Sequence, residues 1–327
     1  MRILVTGSAG HLGEALVLTL RNAGRDVLGI DVRESRCTQA VGSIADRSFV
    51  RNCMSGIGAV VHTATLHKPH VATHSRQAFV DTNVTGTLNL LEEAVSGGVG
   101  CFVFTSTTST FGAALIGAPD RPAAWVTEDV IPIPKNIYGV TKIAAENLCE
   151  VFYRNHSLSC VILRTSRFFP EEDDHPETRR AYDDANVKAN EFLYRRVDSE
   201  DVVGAHLLAL ERGPMIGFGR YVISATTPFT PQDLADLRAD APRVVRRLFP
   251  AYEAIYARRN WRMFPSLDRV YVNALARREL GWRPEYDFGL VLARLSRGED
   301  ARSPLAKTVG SKRYHNAVFS EGPYPVN

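Results

Sequence analysis

The chain has 327 residues, 45% hydrophobic and 23% charged, with a formal net charge of +3. That length buries a full core with room for a smaller second region, and the charge is too small and dispersed for a nucleic-acid binder. No apolar run reaches membrane-spanning length, and Met1 leads directly into a short strand and a glycine loop instead of a secretion signal, so a cytoplasmic protein is expected.

Arg2–Thr6 reads as an apolar strand that runs into GSAGHLG, Gly7–Gly13, with a helix over His11–Asn22. In a strand–loop–helix setting Gly7 permits the tight turn, Gly10 lets a pyrophosphate approach the backbone, and Gly13 lets the helix pack on the sheet. The free N–H groups of the helix then face the phosphates; His11 is expected at the exposed helix start. Asp26–Asp31 is the second strand and ends on a carboxylate suited to adenosine ribose hydroxyls. That favours NAD, with NADP the lesser alternative because Arg33 and Arg36 follow. A short strand near Ala40–Ile44 precedes Asp46, a candidate for the adenine amino group. Ala59–Thr63 is a buried parallel strand, followed by Ala64, small enough for close approach of a nicotinamide. Ala78–Val95 has helical apolar spacing, and Cys101–Thr105 is the next strand. Phe111–Lys135 has no clear period and reads as a loop. Tyr138–His156 is a helix and Cys160–Arg164 a strand.

The pattern predicts an α/β fold of Rossmann type, a doubly wound parallel sheet over residues 1–165. Residues 166–297 are assigned mostly to a smaller C-terminal substrate-binding lobe, some segments returning to the core, with helices over Asp201–Arg212, Pro231–Leu237, Ala251–Arg258 and Val270–Leu280. Residues 298–327 read as an extended tail. The five cysteines, Cys37, Cys53, Cys101, Cys149 and Cys160, form no CxxC, which fits a reducing compartment. His70 and His74 lack a third ligand at metal spacing, so no metal is expected.

The chemistry concentrates at YGVTK. Tyr138 and Lys142 stand at i and i+4 on one helical face, where an ammonium favours the phenolate. Tyr138 is thus the expected general base for a substrate hydroxyl and the acid of the reverse step. Hydroxyl residues from Thr105 to Thr110 leave the fifth strand where ligands bind in such sheets. Thr107 is the candidate for holding the reacting oxygen, with Ser106 and Thr108 beside it. Arg179, Arg180, Arg195 and Arg196 are candidates for an anionic substrate group, since a guanidinium matches two oxygens.

VTGSAGHLG, Asp31, Asp46, NVTGTLNLLEEA from Asn83, FTSTTSTFG to Gly112, YGVTKIAAE, LRTSRFF and ELGWRPEYDF together resemble the extended short-chain dehydrogenase/reductases of the NAD-dependent epimerase/dehydratase family, over about residues 1 to 288. The resemblance implies catalytic roles for Thr107, Tyr138 and Lys142. It also implies cofactor contacts from Gly7, Gly10, Gly13, Asp31, Asp46, Asn83, Tyr138 and Lys142, beside the Ala64 contact expected from its place after the strand, with Ser166 at a substrate position where the family often has Asn. It further implies a homodimer packed through the Ala78–Val95 and Tyr138–His156 helices. Thr108 and Ser109 replace the Asp-Glu pair with which the family's dehydratases eliminate water. The expected activity is therefore sugar epimerisation with NAD, on a nucleotide sugar, by transient oxidation to a keto form. The alternatives are a net NAD(P)-dependent dehydrogenase or reductase of a sugar, uronic acid or small alcohol or ketone, and a non-catalytic dinucleotide-binding regulator. Neither a nucleic acid nor a membrane partner is expected.

Overall fold

The computed structural model describes residues 1–115, 121–315, 319, 322 and 324. Its strands are β1 (Arg2–Thr6), β2 (Val27–Asp31), β3 (Ala40–Val41), β4 (Ile57–His62), β5 (Cys101–Thr107), β6 (Ala124–Val126), β7 (Ser159–Thr165), β8 (Phe218–Ile223) and β9 (Arg269–Tyr271). Seven of them form one parallel sheet in the order β3-β2-β1-β4-β5-β7-β8. The strands are apolar on both faces because helices cover both. The order reverses direction between β1 and β4, which opens a crevice at their C-terminal ends.

The first half supplies helices α1 (His11–Asn22), α2 (Arg47–Met54), α3 (Arg76–Phe79), α4 (Gly86–Ser96) and α5 (Ile137–His156). The second half supplies α6 (Pro176–Ala181), α7 (Asp184–Glu191), α8 (Ser199–Ile216), α9 (Leu234–Leu248), α10 (Tyr252–Ala257), α11 (Ala274–Glu279), α12 (Phe288–Ser296) and α13 (Pro304–Val309). On one face, Ile3, Val5, Val61, Val103 and Val161 pack with Leu16 of α1, Val203 of α8 and Val309 of α13. On the other, Leu4, Val60, Phe102 and Ile162 pack with Val50 of α2, Leu91 of α4 and Cys149 of α5. A separate core joins α7, α9, α10 and α12 through Ala189, Leu237, Tyr256 and Phe288.

Three local readings are corrected. The helix expected over Ala78–Val95 is α3, a six-residue π-helical turn at Val80–Thr85, and α4; such turns widen a helix and concentrate at functional sites. Within the expected loop, β6 pairs with β9, which takes the start of the helix expected from Val270. The tail expected to be extended from 298 carries α13, started by Pro304 and capped by the Ser303 hydroxyl on Ala306 N–H. No helix of the described residues is long and apolar enough to cross a membrane.

Candidate active site

A cavity of about 770 Å³ runs along the C-terminal ends of the sheet strands, from the glycine loop to Tyr138 and on to the C-terminal lobe. The loop is shaped by what it lacks. Gly7 has φ 71°, a left-handed conformation, and a Cβ there would stand 2.8 Å from Ala64 N. A Cβ on Gly13 would fall 2.0 Å from the Gly7 carbonyl oxygen. Helix α1 starts behind Gly10 without a side-chain cap, leaving its first N–H groups for an anion. At the end of β2, Asp31 accepts from Ala9 N–H (3.0 Å) and from Arg33 N–H (2.9 Å). The carboxylate is thus held against the glycine loop and lines the cavity. This cradle fits a dinucleotide, with Gly7, Gly10, Gly13, Asp31 and Ala64 placed together as the sequence predicted.

Two expected cofactor residues lie off the cavity wall. Asp46 caps α2, its Oδ1 accepting from Ser48 N–H and Phe49 N–H, and Gly42, Ser43 and Ile44 line the cavity instead. Asn83, within the π-helical turn, accepts from Leu66 N–H at 2.8 Å and donates to Thr141 Oγ1 at 3.0 Å. It ties the loop after β4 to the Tyr138 helix and positions both.

Tyr138 is buried and lines the cavity beside Thr107, whose hydroxyl accepts from Ser109 N–H at 3.1 Å. Burial pushes the phenol up to about 12, with the Thr107 hydroxyl pulling the other way. The expectation that Lys142 favours the phenolate is corrected. Lys142 lies along β5, donating to the Thr105 carbonyl (2.6 Å) with its ammonium 4.0 Å from the Phe104 ring centroid, and it does not shift Tyr138. Burial pulls Lys142 down to about 7, against an upward pull from Glu146 one turn further along α5. Glu146 itself accepts from Arg164 (2.7 Å) and from Ser106 Oγ (2.5 Å), all three buried. The Ser106 hydroxyl is thereby committed to Glu146, although Ser106 lines the cavity together with Thr107, Thr108 and Ser109.

The cationic wall differs from the one expected. Arg195 lines the cavity, but Arg179, Arg180 and Arg196 do not. Arg179 donates to the Asp173 carbonyl, Arg180 to the Pro176 carbonyl, and Arg196 pairs with Glu191 (2.7 Å) inside the lobe. Arg167 and Arg269, not singled out from the sequence, join Arg195 on the wall. Glu191 sits among Arg167, Arg195 and Arg196; burial raises its pKa, but the three guanidinium groups hold it at about 2. Ser166 faces the cavity with a buried hydroxyl that has no hydrogen-bond partner among the described residues.

Sequence reasoning also missed His67, whose ring stands 5.9 Å from that of Tyr138 and which burial keeps neutral. Lys312, Arg313, Tyr314 and His315, from the supposed tail, line the same cavity. No periodicity marked these residues, because their placement depends on where α13 docks. His11 is not exposed: its ring bonds Glu171 (2.8 Å).

The profile of the NAD dependent epimerase/dehydratase family matches residues 3–223. The UDP-glucose 4-epimerase of Erwinia amylovora is 32% identical over 182 residues, covering 50% of this chain and 52% of that protein; the chain thus spans about half the length of this curated relative. A short-chain dehydrogenase/reductase superfamily protein from Agrobacterium tumefaciens, solved with bound NAD, superposes with a TM-score of 0.65 at 24% identity, covering 91% of this chain and 96% of that one. The UDP-glucose 4-epimerase of Thermotoga maritima, solved with UDP-glucose, superposes with a TM-score of 0.61 at 22% identity, over 91% and 99% of the two chains. At these identities the two structures speak to the fold.

Proposed function

Because the chain belongs to the NAD dependent epimerase/dehydratase family, we propose that it is a sugar epimerase acting on a nucleotide sugar with NAD as its cofactor. The observation that carries this reading is one cavity joining the glycine cradle and Asp31 to Thr107 and Tyr138. At the positions where a dehydratase needs carboxylates, the wall carries Thr108 and Ser109.

In this reading Gly7, Gly10 and the first turn of α1 hold the pyrophosphate, Asp31 the adenosine ribose, and Ala64 leaves room for the nicotinamide half. Bound NAD supplies reversible hydride acceptance, which takes the sugar through a keto form. Thr107 holds the reacting oxygen and Tyr138 removes and returns its proton. A phenol at about 12 is a poor base at neutral pH. Turnover therefore requires positive charge near Tyr138; in this reading Lys142, one helical turn away, supplies it once its ammonium leaves the Thr105 carbonyl that holds it in the cofactor-free chain. Arg195, with Arg167 and Arg269, faces the substrate end and suits a diphosphate or carboxylate; the Ser166 hydroxyl adds an uncommitted hydrogen-bonding group.

The test is incubation with UDP-hexoses and UDP-hexuronic acids, read by NMR for epimer and at 340 nm for NADH. Epimer without accumulating NADH supports the reading; stoichiometric NADH transfers the assignment to a net dehydrogenase. No conversion across the panel counts against both.

We also propose a homodimer through α4 and α5. Val140 and Val151 are exposed on one face of α5, and Leu88 and Val95 are half-buried on α4. An apolar surface at these positions suits a symmetric helical interface. A single species of monomer mass in sedimentation at micromolar concentration would reject it.

A further inference from the structure

We infer that the segment Ser311–His315 is part of the dinucleotide site and clamps the bound cofactor, slowing its release. The inference rests on the assignment of the cavity to NAD.

The segment is anchored at its start. Helix α13 packs on α1 and α8, with Val309 in the sheet-face core and Ser303 N–H donating to Asp198 (3.2 Å). Beyond Gly310 the chain turns across the cavity mouth and touches three rims. At the start of α1, the Lys312 backbone nitrogen stands 2.9 Å from His11 Nε2, and the Lys312 ammonium donates to Glu14 (2.7 Å). On the loop after β7, Ser311 Oγ donates to Glu171 (2.6 Å), the carboxylate that also binds His11. On the loop after β4, His70 Nδ1 accepts from His67 N–H, so its Nε2–H donates to the Tyr314 carbonyl (3.2 Å), and His315 donates to the Pro69 carbonyl (2.9 Å).

Tyr314 is the centre of the closure. Its ring lies 5.6 Å from that of His11 at the phosphate end and 5.7 Å from that of His67, which in turn abuts Tyr138. Arg313 bends the segment through a left-handed conformation, φ 52°, which costs energy for a residue with a side chain. These contacts bridge the glycine loop to the loop beside the catalytic tyrosine, and the cavity persists beneath them. A dinucleotide seated on the glycine loop would lie against this segment, which would hinder its release. An epimerase that regenerates its NAD every cycle gains from that retention; a dehydrogenase that exchanges cofactor each turnover would be slowed by it.

The test is NADH release, read by its fluorescence when the full-length protein loaded with NADH is chased with excess NAD. Tyr314→Ala is expected to release NADH at least tenfold faster than wild type, and Lys312→Met, which keeps the aromatic contacts, about threefold faster. Circular dichroism and thermal melts establish that each variant is folded. Release unchanged in both folded variants overturns the clamp while leaving the cavity assignment intact. Tighter binding in Tyr314→Ala overturns it in favour of obstruction. Failure of the wild type to bind NADH overturns the cavity assignment and the clamp together.

Discussion

Replacing Lys142 by Met isolates the energetic consequence of burying an ammonium at the centre of the site. Lys142 is fully buried, and its pKa falls from 10.5 to about 7 in the folded chain. Between these values the unfolded chain binds the proton that the folded chain has released, so stability rises with pH across that interval. With one pKa unit worth about 1.4 kcal/mol, linkage gives a gain on the order of 1 kcal/mol between pH 6 and pH 8 and on the order of 3 kcal/mol by pH 9. Met keeps the stem in contact with Phe104 and removes the titration. Urea unfolding of the cofactor-free protein at pH 6, 8 and 9 is the assay. The wild type should gain stability with pH relative to Lys142→Met by about these amounts. A wild-type-minus-variant difference that is flat, or falls with pH, would refute the assignment of a depressed Lys142.

Glu146→Gln leaves the buried Arg164 without its countercharge, and a loss of about 3–5 kcal/mol is expected from broken buried pairs of this kind, read as a lower urea midpoint. It should also carry the Lys142 pH edge below about 7, because Glu146 raises that group. Tyr138→Phe should bind NADH normally yet lose about 10²–10⁴-fold in turnover, measured by single-turnover kinetics with whichever UDP-sugar proves active. Asp31→Ala removes the acceptor for Ala9 N–H and Arg33 N–H and the repulsion of a 2′-phosphate. Fluorescence titration should show NADH affinity falling at least tenfold while NADPH affinity falls less; equal losses would remove Asp31 from cofactor selection.

The sheet, the glycine cradle, Asp31, Thr107 and Tyr138 were legible in the chain because each follows from local chemistry. Apolar runs of strand length, glycines at a strand–helix junction and a YxxxK pair carry their meaning within a few residues. The arginines were not legible in this way. Arg195 and Arg196 are neighbours and both pair with Glu191, yet only Arg195 lines the cavity, because the Arg196 guanidinium is also held inside the lobe by the Phe169 carbonyl. Asp46 was read as a ligand contact, but it is the N-cap of α2, which starts at the next residue, and its Oδ1 accepts from Ser48 N–H. The Lys142 ammonium was read by spacing alone, but the Thr105 carbonyl and the Phe104 face compete for it, and both come from another strand. The clearest divide lies at Tyr314. In the chain it is one aromatic in a polar stretch; in the fold it meets His11 and His67, roughly 250 to 300 positions away. Local pattern encodes backbone geometry and the motifs set upon it. Which side chains share one cavity is decided by packing between distant segments, and the docking of α13 on α1 and α8 places Tyr314 there.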